Sequence, residues 1–135
     1  MPATPALPFF LFSALLMSDS LLDANLQHVP DPYLSGSWRV VDRTLSRADP
    51  TTALAQATYL HLQEGYLRLD TSTGQTAGHW SIERDALLSR PYLLLQLAHE
   101  SVRALVTRLR HSADGHYRAL VLYFQSGLEL FLVQP

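Results

Sequence analysis

From residue 36 onward, apolar and polar residues alternate in short runs separated by turn residues, a pattern typical of antiparallel β-strands. The longest polar interruption, residues 46–56, predicts an extended connection between the first two strands. The predicted strands are 37–44, 57–63, 66–72, 76–83, 86–89 with 92–98, 102–111, 116–125 and 128–133. The pattern therefore predicts an all-β domain over residues 33–135.

The first tight turn, Glu64-Gly65, gives a testable strand register. An even-numbered loop pairs Leu62 with Leu67 and Leu60 with Leu69, so that four leucines share one face. A slip of one residue would turn every side chain over. The other face is polar, and it carries two predicted cross-strand pairs: Tyr59 with Asp70, and His61 with Arg68.

Two later turns fix the remaining register. A type I′ turn at Asp114-Gly115 pairs Leu109 with Leu120 and Leu105 with Phe124, and it places Thr107 opposite Leu122. A turn at Ser126-Gly127 sets Leu122 beside Phe131 and Leu120 beside Val133. The opposite face of the last hairpin is then apolar as well, through Val121, Tyr123, Leu130 and Leu132. Such a face needs a cover, for which we favour an N-terminal helix over a second subunit.

An antiparallel meander of eight strands leaves exposed edges unless it closes. Eight strands also form the smallest barrel whose interior is filled by side chains or holds one small ligand. We therefore expect an antiparallel up-and-down eight-stranded barrel, with a β-sandwich as the alternative.

The N-terminal segment has several interpretations. Residues 7–17 form an uncharged apolar run of 11, too short to span a bilayer, which takes about 20 residues. Residues 1–24 are thus a signal peptide or a helical segment, or the chain begins functionally at Met17. Leu21, Leu22 and Leu26 recur at helical spacing and predict a short helix over 18–27. A signal peptide implies a periplasmic or secreted protein, and its absence a cytoplasmic one.

Composition narrows the chemistry. The 135 residues carry a net charge of −2, with 16% charged residues and no cysteine. Disulfides, cysteine-ligated metals and thiol catalysis are excluded, and neither a nucleic-acid partner nor a transmembrane helix is expected. His111, His116 and Asp114 have the donor types for zinc, but solvated turn residues are the favoured interpretation. No catalytic, metal or cofactor motif is found; Thr107 and Glu129 are the only polar residues predicted to face inward for an isomerase- or cyclase-like reaction.

Three segments carry a family resemblance. Gly36-Ser37-Trp38 opens the first long strand; Gly78-His79-Trp80-Ser81-Ile82-Glu83 precedes Ala86-Leu87-Leu88; and the chain closes with a hairpin over 120–133. Over residues 33–135 the sequence resembles the lipocalin-like proteins of the calycin superfamily, particularly their short bacterial domains. The resemblance implies a barrel whose closed end is plugged by Trp38 and whose interior takes an apolar ligand.

Two functions follow as expectations. The first is binding of an apolar small molecule inside the barrel, lined by Leu62, Leu69, Leu105, Leu122 and Phe124. The alternative is a filled barrel that acts as an accessory module, binding a protein partner or forming a homodimer through Val121, Tyr123, Leu130 and Leu132.

Overall fold

The computed structural model describes residues 21–98 and 100–134, which form nine β-strands and one 3₁₀ turn, Asp31–Leu34. The strands are β1 (Leu21–Asp23), β2 (Gly36–Thr44), β3 (Ala57–Gln63), β4 (Tyr66–Thr71), β5 (Gly74–Arg84), β6 (Pro91–Leu97), β7 (Glu100–Ser112), β8 (Arg118–Phe124) and β9 (Glu129–Gln134).

Strands β2 to β8 each pair with the next strand, and β9 pairs back onto β2. Every pairing is antiparallel, and Val40 of β2 lies opposite Leu132 of β9 at the closing seam. The prediction of a closed, up-and-down, eight-stranded barrel is therefore confirmed. Closure removes the two edges that an open meander would expose.

The first part of the predicted strand 86–89 with 92–98 does not form, whereas the second part does. Residues 86–89 are a turn, organised by the carboxylate of Asp85, which accepts hydrogen bonds from the backbone N–H of Leu88 at 2.5 Å and of Arg90 at 3.1 Å. Pro91 then begins β6, a position where a missing N–H does not interrupt the ladder. The apolar side chains of Leu87 and Leu88 are consequently exposed.

The N-terminal helix prediction is wrong where the structure describes it. Leu21–Asp23 is a strand that pairs with the last residues of β7, and Asp23 binds Arg108 at 2.8 Å. This pairing arises because β7 continues past its partner β6, which leaves a stretch of free edge for β1. Residues 1–20, and with them most of the predicted signal or helical segment, lie outside the described residues.

Alternate residues of the barrel strands form one apolar core. The pairs Leu60–Leu69 and Leu62–Leu67 lie opposite each other and are fully buried, as the first turn predicts. The core also includes Trp38, Leu93, Leu95, Ala104, Val106, Leu109, Leu120, Leu122, Phe124, Leu130 and Leu132.

The predicted register of the last hairpins holds near the Asp114-Gly115 turn and then fails twice. Leu109 lies opposite Leu120, but a bulge between Val106 and Arg108 places Leu105 opposite Tyr123. The extra residue of a bulge reverses the facing of every residue beyond it.

The second failure lies at the final turn. Phe124 N donates to Leu128 O at 2.8 Å, so the loop contains three residues, ending at Gly127 with φ of 98°. A three-residue loop shifts the pairing by one position relative to a two-residue turn. Leu122 therefore lies opposite Leu130 rather than Phe131, and Leu120 opposite Leu132 rather than Val133.

The barrel end near Trp38 is closed by residues 24–35, which lead into β2 and which we call the lead-in segment. Trp38 is fully buried and its indole N–H donates to Leu34 O at 3.0 Å. Arg84, at the same end, donates to the backbone oxygens of Leu26 and Val29. One guanidinium thus holds the lead-in segment against the barrel.

Packing explains why residue 78, in the second segment of the family resemblance, is a glycine. A Cβ at this position would lie 2.0 Å from the backbone oxygen of Gln96 on β6. Glycine therefore lets β5 and β6 approach each other where a side chain would push them apart.

Candidate functional site

The end of the barrel opposite Trp38 is covered by the connection 45–56 rather than by a strand or a helix. Leu54 of this connection is 2% exposed and belongs to the core. Arg43, at the end of β2, donates to the backbone oxygens of Ala55 and, at 2.8 Å, Ala57. We call residues 45–56 the mouth loop.

A cleft of about 470 Å³ lies between the mouth loop, the N-terminal end of β7 and the C-terminal end of β8. We call it the mouth cleft. Its apolar wall includes Leu54, Val102, Phe124 and Leu128, together with Ala48 and Leu94. Asp49, Glu100 and Arg103 also line it. The volume falls within the range of small-molecule sites, and an apolar wall with a few polar groups is their usual composition.

The five residues predicted to bind a ligand do not share one environment. Leu62, Leu69 and Leu122 are fully buried in the barrel core. Phe124 is 2% exposed and reaches the mouth cleft. The predicted inward position of Leu105 is wrong, since the bulge in β7 turns it outward beside Tyr123.

The predicted outer apolar face is also rearranged. Leu130 and Leu132 point into the core and are 0% and 1% exposed, because the three-residue loop shifts β9 by one position. Val121 and Tyr123 do lie on the outer face, as predicted. The residue of β9 that accompanies them there is Phe131, opposite Val121, and not Leu130 or Leu132. The sequence of β9 does not indicate which alternate residues face inward, because both the odd-numbered and the even-numbered positions are apolar.

A groove of about 310 Å³ lies on this outer face, walled by Tyr92, Leu105 and Tyr123. The guanidinium of Arg103 stacks over the ring of Tyr92 at 4.9 Å. Tyr123 is 45% exposed, so the groove presents an aromatic edge to solvent.

A polar network covers the outside of β2, β3 and β4. The sequence predicts only its cross-strand pairs. Ser37 Oγ lies 2.8 Å from His61 Nδ1, and His61 Nε2 lies 2.9 Å from Asp70 Oδ2. Arg68 Nε donates to Asp70 Oδ1 at 3.1 Å, and the ring of Tyr59 stacks on His61. Burial raises the pKa of the Asp70 carboxyl, but hydrogen bonds from His61 and Arg68 outweigh this and hold that pKa below its usual value.

Serine, histidine and aspartate in series are the side chains of a nucleophilic triad, but their setting differs here. Ser37 and His61 are register partners within a regular antiparallel ladder. Backbone N–H groups of such a ladder bond to neighbouring strands and do not converge on a point above the sheet. The network links three strands, through Ser37 of β2, His61 of β3 and Asp70 of β4.

The other chemical candidates are dispersed. His116 Nδ1 lies 3.6 Å from Asp114 Oδ2 in an exposed turn, and residues 21–98 and 100–134 contain no group of three potential metal ligands. The Thr107 hydroxyl donates to Val121 O, and Glu129 lies opposite the outward Tyr123. These two residues therefore do not form the inward pair predicted for an enzyme.

The geometry defines a closed, eight-stranded antiparallel β-barrel that is compatible with a lipocalin-like fold. No family model, curated protein or solved structure was found to match the chain. Within the described part of the chain, no helix has the length and hydropathy needed to cross a membrane.

Proposed function

We propose that the protein binds an apolar small molecule through the mouth cleft. The observation that carries this proposal is the apolar wall of the mouth cleft, about 470 Å³ in volume, to which Phe124 of the barrel core and Leu54 of the mouth loop both contribute. Apolar walls stabilise a bound ligand by about 25 cal/mol per Å² of surface removed from water.

The proposed binding surface begins at Phe124, Val102 and Leu128. Leu69 and Leu122 are buried in the core, Leu122 on the same face of β8 as Phe124, and Leu62 lies nearer the Trp38 end. A short ligand occupies the cleft alone, whereas a longer chain enters the barrel only if the mouth loop moves and the leucines repack. Medium-chain fatty acids and flat aromatic molecules suit a cleft of this size.

A titration with a dansylated medium-chain fatty acid tests the proposal. We expect a saturable rise in fluorescence, and an increase in Kd of about tenfold in Val102→Phe, which fills the cleft from a half-buried position. Leu122→Trp, which fills the core below, should weaken longer chains more than shorter ones. Leu105→Phe is the matched control, since it enlarges a side chain of the same strand on the outer face.

Two results would contradict this proposal. One is a signal that does not saturate. The other is a saturable signal that Val102→Phe and Leu105→Phe change equally, because such binding would not depend on the cleft.

A second candidate function is association through the outer groove, in which a second copy of the chain covers Tyr92, Leu105 and Tyr123. The observation that favours it is the exposed aromatic edge at Tyr123. Sedimentation velocity should then show a concentration-dependent dimer that Tyr123→Lys abolishes. A monomer at all concentrations would leave this groove without a role in self-association.

A further inference from the structure

A second cleft, of about 620 Å³, lies at the other end of the barrel, beside the Trp38 plug. We call it the Trp80 cleft. One wall is the turn Gln63–Gly65 between β3 and β4, and the other is formed by Asp31, Pro32 and Ser35 of the lead-in segment. Trp80 and Ile82 of β5 supply the apolar part of its lining. None of these residues belongs to the mouth cleft.

Trp80 is held in a fixed orientation in this cleft. It lies opposite Leu95 in the β5–β6 ladder, on the inward side of β5, yet it is only half-buried. Its indole N–H donates to the backbone oxygen of Gln63. Because the polar edge of the indole is already bonded, the ring offers a ligand its apolar and π-electron surface.

The charge of the cleft is negative. Carboxylates stand on both walls, Asp31 on one and Glu64 on the other. The Asp31 side chain is 64% exposed and its one ion-pair partner in the described residues, Arg84, lies 3.9 Å away. Arg84 donates to backbone oxygens, including those of Leu26 and Ser89, and its single positive charge offsets only one of the two carboxylates, so the three side chains together are net negative.

We propose that the Trp80 cleft binds an organic cation, an alkyl- or arylammonium group that lies over the indole between Asp31 and Glu64. An ammonium group is attracted to the face of an indole, the most favourable aromatic side chain for this contact. Two carboxylates add attraction, and Ile82 and Pro32 accept the apolar substituents that a metal ion lacks. This site is independent of the proposed apolar site at the mouth.

The test uses benzyltrimethylammonium and its uncharged carbon isostere, neopentylbenzene, at pH 8. Binding is followed by ¹H–¹⁵N NMR through the indole N–H signals of Trp80 and Trp38 and the amide of Gly65. We expect saturable shifts at Trp80 and Gly65 with a Kd of about 1 mM, and none at the buried Trp38. The isostere should bind at least several-fold more weakly.

Charge deletions then locate the cation. Asp31→Asn and Glu64→Gln should each raise the Kd about threefold to tenfold at low salt. Glu129→Gln, which removes the same charge at the opposite end of the barrel, is the matched control. Trp80→Leu should abolish the shift of the Gly65 amide while the rest of the spectrum remains that of a folded barrel.

Three results would overturn the proposal: no saturable shift to about 20 mM ligand, roughly twentyfold above the expected Kd; equal binding of the cation and its isostere; or equal effects of Glu64→Gln and Glu129→Gln. Shifts confined to Val102 and Phe124 would also overturn it and would assign the probe to the mouth cleft. A failure at Trp80 leaves fatty-acid binding at the mouth to be judged by its own titration.

Discussion

The polar network around His61 shows what single residues contribute on the solvent side of this barrel. Its members come from three strands, and the cross-strand pairs His61–Arg68 and Tyr59–Asp70 follow correctly from the sequence. The hydrogen bond to Ser37 does not, because it depends on which strand lies on the far side of β3. Pairing within a hairpin is a local property, whereas contact with a third strand depends on the tertiary fold.

Replacing Asp70 by asparagine should lower the free energy of unfolding by about 1–2 kcal/mol at pH 7, because the charged hydrogen bonds with His61 and Arg68 are lost. Urea denaturation measures this difference. Asp42→Asn is the control, since the Asp42 carboxylate accepts a hydrogen bond from the next backbone N–H, a role that asparagine retains.

The same variant has a defined pH dependence. The folded-state pKa of Asp70 is lowered, so its carboxylate contributes stability that is complete above the unfolded-state value, near 3.9, and is lost as the pH falls through the folded-state pKa. The difference between wild type and Asp70→Asn should therefore shrink below about pH 4. A difference that stays constant from pH 7 to pH 3 would contradict this assignment.

At the scale of elements, turn chemistry decided which predictions succeeded. The Glu64-Gly65 turn fixes its hairpin correctly, and the Asp114-Gly115 turn fixes the pairing of Leu109 with Leu120. Ser126-Gly127 is compatible with both a two-residue and a three-residue loop. Because odd-numbered and even-numbered positions of β9 are both apolar, the hydrophobic pattern does not distinguish the two registers. The bulge in β7, between Val106 and Arg108, has no local signal, because residues 102–111 contain no turn residue.

Two neighbouring alanine substitutions test the β9 register directly. Leu132→Ala should lower the free energy of unfolding by about 3 kcal/mol, since Leu132 is 1% exposed in the core. Phe131→Ala should cost less, although phenylalanine is larger, because Phe131 lies on the outer face. Chemical denaturation of both variants gives the comparison. The reverse order would restore the register predicted from a two-residue turn.

At the scale of the whole molecule, closure was predictable and the covering of the ends was not. The number of strands and their meander order require a closed sheet if no edge is to remain exposed. The lead-in segment and the mouth loop lack regular periodicity, so nothing in their sequence indicates where they dock. Their positions depend instead on Arg84 and Arg43, inward-facing cations that donate to the backbone oxygens of Leu26 in the lead-in segment and Ala55 in the mouth loop.

Arg84→Met should release the lead-in segment while preserving the barrel. The substitution removes donors from the carbonyls of Leu26 and Val29, at an expected cost of about 2–3 kcal/mol. Hydrogen exchange should accelerate at residues 24–35 more than in the strands. Arg39→Met, on the exposed face of β2, is the control. Equal acceleration throughout the barrel would show that Arg84 supports the whole fold rather than one end.

The most direct test of the function proposed for this barrel is the location of a bound fatty acid. Intermolecular nuclear Overhauser effects between decanoate and a methyl-labelled protein report which side chains it touches. We predict contacts to the methyl groups of Leu54, Val102 and Leu128 at the mouth. Contacts confined to Leu105 and Val121 on the outer face, or no contacts at saturating decanoate, would contradict the account.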